Sequence, residues 1–388
     1  MVDQGLRLER ILRTHDEFVV VGEASETAAV VRRDSLVVPP AAADRLTSAL
    51  QHRYAGGVDD LGHLGLARVR VRGFDRGDQI SDFVREQQLP VRPVHLMLGA
   101  PFYGGGPADK PRPIPALAAP GPRADAAAGA PAPARATVAV LDTGISRNHP
   151  WFPADVWEPV DGLATWDELD VDNDYALDAQ AGHGTAIAGI VRREAPDAAL
   201  LVGRVLDSAG VSDEVAVADA LSKLRAHAAR TGRPVDVVNL SLSCYTHDDE
   251  PPPSVSREIA AFGPGTVFVA AAGNASSRRP AYPAALEDVI GVGALDEGRP
   301  AAFSNSGSWV DAWAPGARVA TTFVTRRDDS ALPGLDIDEK CLAGYVEWSG
   351  TSFAAPYVAG AIAAARSAGR SPAQARAQAR ARFREPQP

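Results

Sequence analysis

Five short apolar runs set the tightest limit on how this chain can fold. They are A-T-V-A-V-L-D (136–142), A-L-L-V-G-R-V-L (199–206), V-D-V-V-N-L-S-L (235–242), T-V-F-V-A-A-A-G (266–273) and V-I-G-V-G-A-L (289–295). Each is nearly continuous rather than alternating, so a strand built from it is buried on both faces. Helical stretches separate several of the runs. The clearest is S-D-E-V-A-V-A-D-A-L-S-K-L-R-A-H-A-A-R (212–230), with Ser212 or Asp213 as N-cap. Strands apolar on both faces that alternate with helices predict an α/β fold, a mostly parallel sheet covered on both sides. In such sheets working residues gather at the carboxyl ends of the strands.

The runs occupy only the second part of the chain. Residues 100–136 are rich in Pro, Gly and Ala and are expected to form a linker, because such a segment cannot bury a core. Residues 1–99 before it read as a separate small α+β domain. The strand-like stretches are 28–38, 66–72 and 91–98, and the helical ones are 42–50 and 79–87, the latter capped near Asp78. The run L-A-R-V-R-V-R (66–72) alternates, giving one apolar and one basic face. Residues 137–388 form the larger domain. No catalytic constellation is visible in the first 99 residues.

With 388 residues, 45% of them hydrophobic, the chain is long enough for one or two full cores. The net charge of −10 argues against a nucleic-acid partner. Residues 1–135 carry 17 Lys+Arg against 16 Asp+Glu, which leaves −11 for the remainder. Two cysteines, Cys244 and Cys341, allow one disulfide without demanding it, and no metal-binding Cys/His spacing occurs. The N-terminus is charged throughout and lacks the apolar core of a secretory signal, and no run approaches a membrane span. The expectation is a cytoplasmic protein with no membrane partner. Arginine and alanine usage suggests a bacterial, GC-rich source.

Four polar residues fall where a parallel sheet would gather its chemistry. Asp142 closes the first run in V-A-V-L-D-T-G. Asn274 follows the fourth in A-A-A-G-N. His183 opens a helix in G-H-G-T-A-I-A-G, and Ser352 opens another in G-T-S-F-A-A-P. Singly, each has a plainer reading: Asp before Thr-Gly or Asn after Gly in a turn, His as a structural group, Ser as an N-cap.

Together, the blocks D-T-G, H-G-T-x-x-A-G and G-T-S-x-A-A-P resemble those of the subtilases, the subtilisin-like serine proteases, in the same order. The resemblance covers about 137–366 and includes V-V-N-L-S-L, A-A-A-G-N, A-F-S-N-S-G and W-A-P-G. It implies a subtilisin-like fold and a catalytic triad of Asp142, His183 and Ser352. Ser352 would attack a peptide carbonyl, His183 would carry its proton to the leaving amine, and Asp142 would hold the imidazole. The Asn274 amide and the Ser352 backbone N–H would form the oxyanion hole.

The resemblance also implies that substrate is laid as an extended strand along Ser241, Leu242 and Ser243, near Gly273 and Ala275. The family's usual glycine after Ser-Leu is Ser243 here, and the one after Asn274 is Ala275, so a small residue before the scissile bond (P1) is expected. Tyr357, where many members carry His, reads as packing. The small residues Ala354 and Ala355 suit a buried helix start, with Pro356 expected within its first turn. No cofactor is required for the chemistry. The acidic run 166–178, with Asp170, Asp172 and Asp174, leaves a structural calcium open beside the reading of a solvated loop.

Subtilases often carry an N-terminal pro-region that occupies the cleft. Residues 1–99 match that size and class, and the linker would then hold the maturation site. An unrelated appended domain is the alternative. For the whole chain, the leading expectation is a serine endopeptidase acting on peptides or proteins. A narrow processing protease of a peptide-maturation or bacterial defence system, and a binding protein on an inactive protease scaffold, are the alternatives.

Overall fold

In the computed structural model, which describes residues 4–22, 28–72, 74, 76–102, 111–121, 135–173, 177–325 and 343–386, the five apolar runs become neighbouring strands of one sheet. The first part of the chain contains α1 (Gln4–Thr14), β1 (Phe18–Val21), β2 (Ala29–Val38), α2 (Ala43–Leu50), β3 (Tyr54–Leu61), β4 (Leu66–Val71), α3 (Gly77–Glu86) and β5 (Arg92–Gly99). After the short β6 (Arg112–Pro113) come β7 (Thr137–Asp142), β8 (Trp157–Pro159), α4 (His183–Glu194), β9 (Ala199–Arg204), β10 (Val211–Asp213), α5 (Glu214–Thr231), β11 (Val237–Leu240) and β12 (Leu242–Ser243). The chain continues through α6 (Pro253–Ala261), β13 (Val267–Ala271), β14 (Val289–Asp296), β15 (Arg299–Pro300), β16 (Ala312–Pro315), β17 (Val319–Thr325), β18 (Ala343–Trp348), α7 (Thr351–Ser367) and α8 (Pro372–Arg382).

The main sheet runs β15-β14-β13-β11-β7-β9-β8, with β16 also on β14. All of its pairings are parallel except β14 with β15. Alternate side chains of β7 serve opposite faces, as a strand's period of two requires. Val138 and Val140 pack with Ile187 and Ile190 of α4 and Phe353 and Val358 of α7. Ala139 and Leu141 pack with Val217 and Leu221 of α5 and Val255 and Ile259 of α6. The sheet is therefore covered on both sides, as the continuous apolar runs predict.

The first part forms a second sheet, β5-β2-β4-β3, with β1 on β2. Leu36, Val38, Val69 and Val71 turn toward its own helices, meeting Leu46 and Leu50 of α2 and Ile80 of α3. The opposite face, with Val37, Val94 and Met97, joins the core of α5 and α6. The basic face of β4 meets an acidic partner there. Arg68 lies 3.1 Å from Asp213, the N-cap of α5, and Arg32 of β2 lies 3.5 Å from the same carboxylate. Part of the acidic excess in the second part is thus spent on docking the first.

The helix expected over 79–87 with its cap near Asp78 starts two residues earlier, at Gly77, with Arg76 at the N-cap and Asp78 in its first turn. Among the described residues, no helix is long and apolar enough to cross a membrane.

Candidate active site

The strand ends place the four polar residues close together. Asp142 is the last residue of β7, Asn274 lies three residues beyond β13, His183 opens α4 and Ser352 is the second residue of α7. All four are buried. Oδ1 of Asp142 lies 2.7 Å from Nδ1 of His183 and accepts the Thr143 N–H at 2.8 Å. With Nδ1 protonated toward Asp142, Nε2 of His183 keeps its lone pair. The His183 ring is clamped edge-on by Trp348 and Phe353, with centroids at 5.6 and 5.4 Å.

The Ser352 hydroxyl donates to the Ser241 carbonyl at 3.2 Å, and Nε2 of His183 has no hydrogen-bond partner among the described residues. The site is occupied by backbone of the same chain. The carbonyl oxygen of Ala100 accepts from Nδ2 of Asn274 at 2.6 Å and from the Ser352 N–H at 3.1 Å. Those are the two donors that the family resemblance names for an oxyanion, and they converge on one peptide carbonyl.

The chain on both sides of Ala100 is held by main-chain bonds. Upstream, β5 pairs antiparallel with β10, Leu98 opposite Val211, and with β12, Gly99 opposite Leu242 and Leu98 opposite Ser243. The Ala100 N–H donates to the Ser241 carbonyl at 3.1 Å, and downstream the Phe102 N–H donates to Ser349 at 2.8 Å. Gly350 shows how close the approach is. Its φ is +147°, and a β-carbon there would stand 2.6 Å from the Ala100 oxygen and 2.7 Å from Pro101 Cα. Only glycine suits both the conformation and the contact.

Ser241, Leu242 and Ser243 thus border residues 98–100 of this same chain. Gly273 and Ala275 line a cavity of about 200 Å³ beside Ala100, with Leu98, Ser243, Cys244 and Tyr245 among the other walls. Cys244 is buried, and burial pushes its thiol well above its ordinary pKa, which disfavours the thiolate. Cys341, its only candidate disulfide partner, lies outside the described residues.

One expectation needs correction. Pro356 does not lie in the first turn of its helix. Gly350 is the N-cap and α7 begins at Thr351, so Pro356 is the sixth residue and sits inside the helix. A proline there leaves the carbonyl four residues earlier, that of Ser352, without its usual donor. The Ser241 hydroxyl supplies one at 2.9 Å. Proline and serine together tie the serine's own backbone to the cleft wall.

Two contributors escape sequence reasoning. Thr351 donates both its N–H and its hydroxyl to Oδ1 of Asn274, each at 2.9 Å, which turns the Asn274 NH₂ toward Ala100. The signal for Thr351 lies inside the G-T-S block. Composition assigns Ala100 to the start of the linker, although the strand before it runs straight into it. Tyr357 packs as expected: its ring lies 5.2 Å from the Arg193 guanidinium, which also bonds its hydroxyl.

The acidic run brings oxygen atoms of Asp170, Asp172 and Asp178 within 4.8 Å of one another. Asp174, expected to join them, lies outside the described residues. Three carboxylates suit a hard cation such as calcium, but Oδ2 of Asp178 already accepts from the Val171 N–H at 2.7 Å and the Ser208 hydroxyl at 2.6 Å.

Comparison with known proteins identifies the family of this chain. The family model described as "Subtilase family" matches residues 134–382. "Thermophilic serine proteinase" of Bacillus sp. (strain AK1) is 36% identical over 234 residues, which is 58% of this chain and 50% of that protein. "Thermitase" of Thermoactinomyces vulgaris is 34% identical over 236 residues, 58% of this chain and 72% of that protein. The chain therefore spans only half the length of the first of these relatives. A solved structure described as a cold adapted subtilisin-like serine proteinase aligns with a TM-score of 0.46 at 26% identity, over 62% of this chain and 80% of that one. The match of the family model to well over half of the sequence is decisive: this chain belongs to the subtilase family.

Proposed function

We propose that this chain is a serine endopeptidase with Asp142, His183 and Ser352 as its triad. The observation that carries the reading is the Ala100 carbonyl, gripped by Asn274 at 2.6 Å and by the Ser352 N–H at 3.1 Å. A substrate carbonyl in that place would receive the Ser352 oxygen. His183 would take the hydroxyl proton on Nε2 and return it to the leaving amine, while Asp142 stabilises the imidazolium. The negative charge that develops on the carbonyl oxygen would fall on two donors already aimed at it. The acyl group on Ser352 would then be released by water through the same proton path.

We further propose that residues 1–99 act as an occupant of the cleft in cis. The pairing of β5 with β10 and β12 supports this, because it uses the strand addition by which an extended peptide binds a sheet edge. Peptides and proteins are the substrates under this reading. Occupation of P1 by the Ala100 methyl supports a small residue there.

Labelling by a fluorophosphonate probe tests the triad. Wild-type protein should label at Ser352 and Ser352→Ala should not; an unlabelled wild type in which the cleft has been freed would favour the inactive-scaffold reading. Chain length tests the role of the first domain. If the wild type remains full length while hydrolysing peptides at full rate, a cleft-blocking pro-region is ruled out. For P1, matched Ala and Phe peptides decide, and a clear preference for Phe would overturn the small-residue reading.

A further inference from the structure

Gly99 sits one residue before Ala100, at the P2 position of the bound segment. Both of its main-chain groups are held: its N–H donates to the Gly210 carbonyl at 2.9 Å, and its carbonyl accepts from Nε2 of Gln180 at 3.3 Å. Its backbone has no left-handed φ, so conformation alone would admit any residue. Space would not. A β-carbon on Gly99 would stand 2.0 Å from Oε1 of Gln180, 2.9 Å from its Cδ and 3.1 Å from a methyl of Leu206.

The Gln180 amide has little freedom to retreat. The residue is fully buried, and its backbone N–H is anchored to the Ser208 carbonyl at 2.8 Å. On its other side lies Gly210, where a β-carbon would come within 2.0 Å of Cδ and Nε2. The amide therefore lies between two glycines, one on the cleft wall and one on the segment in the cleft. Its Oε1 has no hydrogen-bond partner among the described residues, so the bond that holds the amide in place is the one from Nε2 to the Gly99 carbonyl. A buried acceptor without a donor is a cost, and steric closure of the cleft is what the placement achieves.

We propose that Gln180 is a specificity-determining residue that closes the cleft at P2, so that this enzyme takes peptides with glycine before the P1 residue. The inference rests on the cleft being the peptide-binding site of the proposed endopeptidase. It narrows the substrate class to segments of the type apolar-Gly-Ala, as in Leu98-Gly99-Ala100, and it names the side chain that enforces the glycine.

Two measurements test it, one of which needs no catalysis. In the full-length Ser352→Ala chain, Gly99→Ala should lower the hydrogen-exchange protection of the β5 amides by about tenfold or more, the scale of an overpacked buried site. Adding Gln180→Ala should restore most of that protection. Equal protection with and without Gly99→Ala, or a loss that Gln180→Ala leaves unchanged, overturns the proposal. The second measurement compares kcat/KM for peptides that differ only in Gly or Ala at P2. Wild type should prefer Gly by about tenfold or more, a discrimination that a steric wall supplies, and Gln180→Ala should reduce the preference to within about threefold. Gln180→Leu, which keeps the bulk and removes the amide, should retain it. Equal cleavage of both peptides by the wild type sinks the role of Gln180 while leaving the protease reading intact. Failure to cleave either peptide, with no probe labelling, overturns the protease reading instead, and the exchange measurement still decides the role of Gln180.

Discussion

Thr351 makes a case at the scale of one residue for reading a motif by its contacts. It turns the Asn274 amide by occupying Oδ1 and also accepts the Gly273 N–H at 3.0 Å. Thr351→Val keeps the shape and removes the hydroxyl. Both hydroxyl bonds are lost, and with the one to Asn274 worth about 1 kcal/mol, kcat should fall at least about fivefold with little change in KM. Thr351→Ser should restore most of the rate, which a purely structural role in packing would not predict. Asn274→Ala removes the donor itself. The matching change in subtilisin, a member of this family, costs about 10²–10³ in kcat, and a loss on that scale is expected here. Steady-state kinetics on one peptide separates these outcomes. The four polar residues are legible in the sequence because each sits at the end of an apolar run or the start of a helix. The Pro356–Ser241 relation is not, since it joins residues more than a hundred positions apart through a carbonyl that no side-chain pattern reports.

At the scale of elements, the central strands are legible because burial on both faces leaves an unbroken apolar signature. β17 leaves no such mark, and its threonines explain why. Thr321 and Thr322 are buried, which their polarity does not suggest, because they donate to the Ala186 and Thr185 carbonyls of α4 at 2.6 and 2.7 Å. Their polar groups are satisfied by a helix that no local pattern could name. The N-cap of α5 is legible as Ser212 or Asp213, but its second duty is hidden. Asp213 accepts from the Val215 and Ala216 N–H groups at 2.9 and 2.8 Å while receiving Arg32 of β2 and Arg68 of β4. Asp213→Asn separates the two duties, since asparagine caps as well as aspartate. The variant should keep the thermal stability of the larger domain within about 0.5 kcal/mol while weakening docking of the first domain by about 1–3 kcal/mol, the range for a hydrogen-bonded charge. Protection of β5 amides against exchange measures the docking. A uniform loss of protection across α5 instead would show that capping was the duty damaged.

For the whole molecule, the part before the linker meets the part after it through histidine contacts, so their docking should depend on pH in a definite direction on each side. On the acid side the group is His247, in the loop after β12. Its Nδ1 lies 3.0 Å from Nε2 of the buried His95 of β5, and Nδ1 of His95 lies 2.7 Å from Glu214. Burial lowers the pKa of His247 to about 4, with Asp248 opposing and His95 and Arg92 adding to the effect. A released His247 titrates near its ordinary value, so the undocked form binds a proton that the docked form refuses. Docking is therefore at full strength above about pH 6.5 and weakens as pH falls toward 4, by about tenfold in the docking equilibrium near pH 5 after allowance for solvent screening. Glu214 and Asp248, whose pKa values are lowered, against the opposing effect of burial, by His95 and by His247 with Arg92 respectively, lose their share only as pH falls below the ordinary carboxylate range. The alkaline side has the opposite sign. His15, just after α1, lies 2.9 Å from Asp207, between β9 and β10, and that hydrogen bond raises its pKa against the cost of burial. Its contribution is complete below about pH 6.5 and disappears as pH rises through the docked value. Docking should thus be strongest between the two limits. Exchange protection factors for β5 in the Ser352→Ala chain, which already remove the intrinsic pH dependence of exchange, should trace that dome. His247→Asn should flatten only the acid arm and His15→Asn only the alkaline one. An acid arm that survives His247→Asn unchanged would place the acid sensitivity on the carboxylates instead, and a profile flat from pH 5 to 8 would remove the titrating contacts from any account of how the two domains hold together.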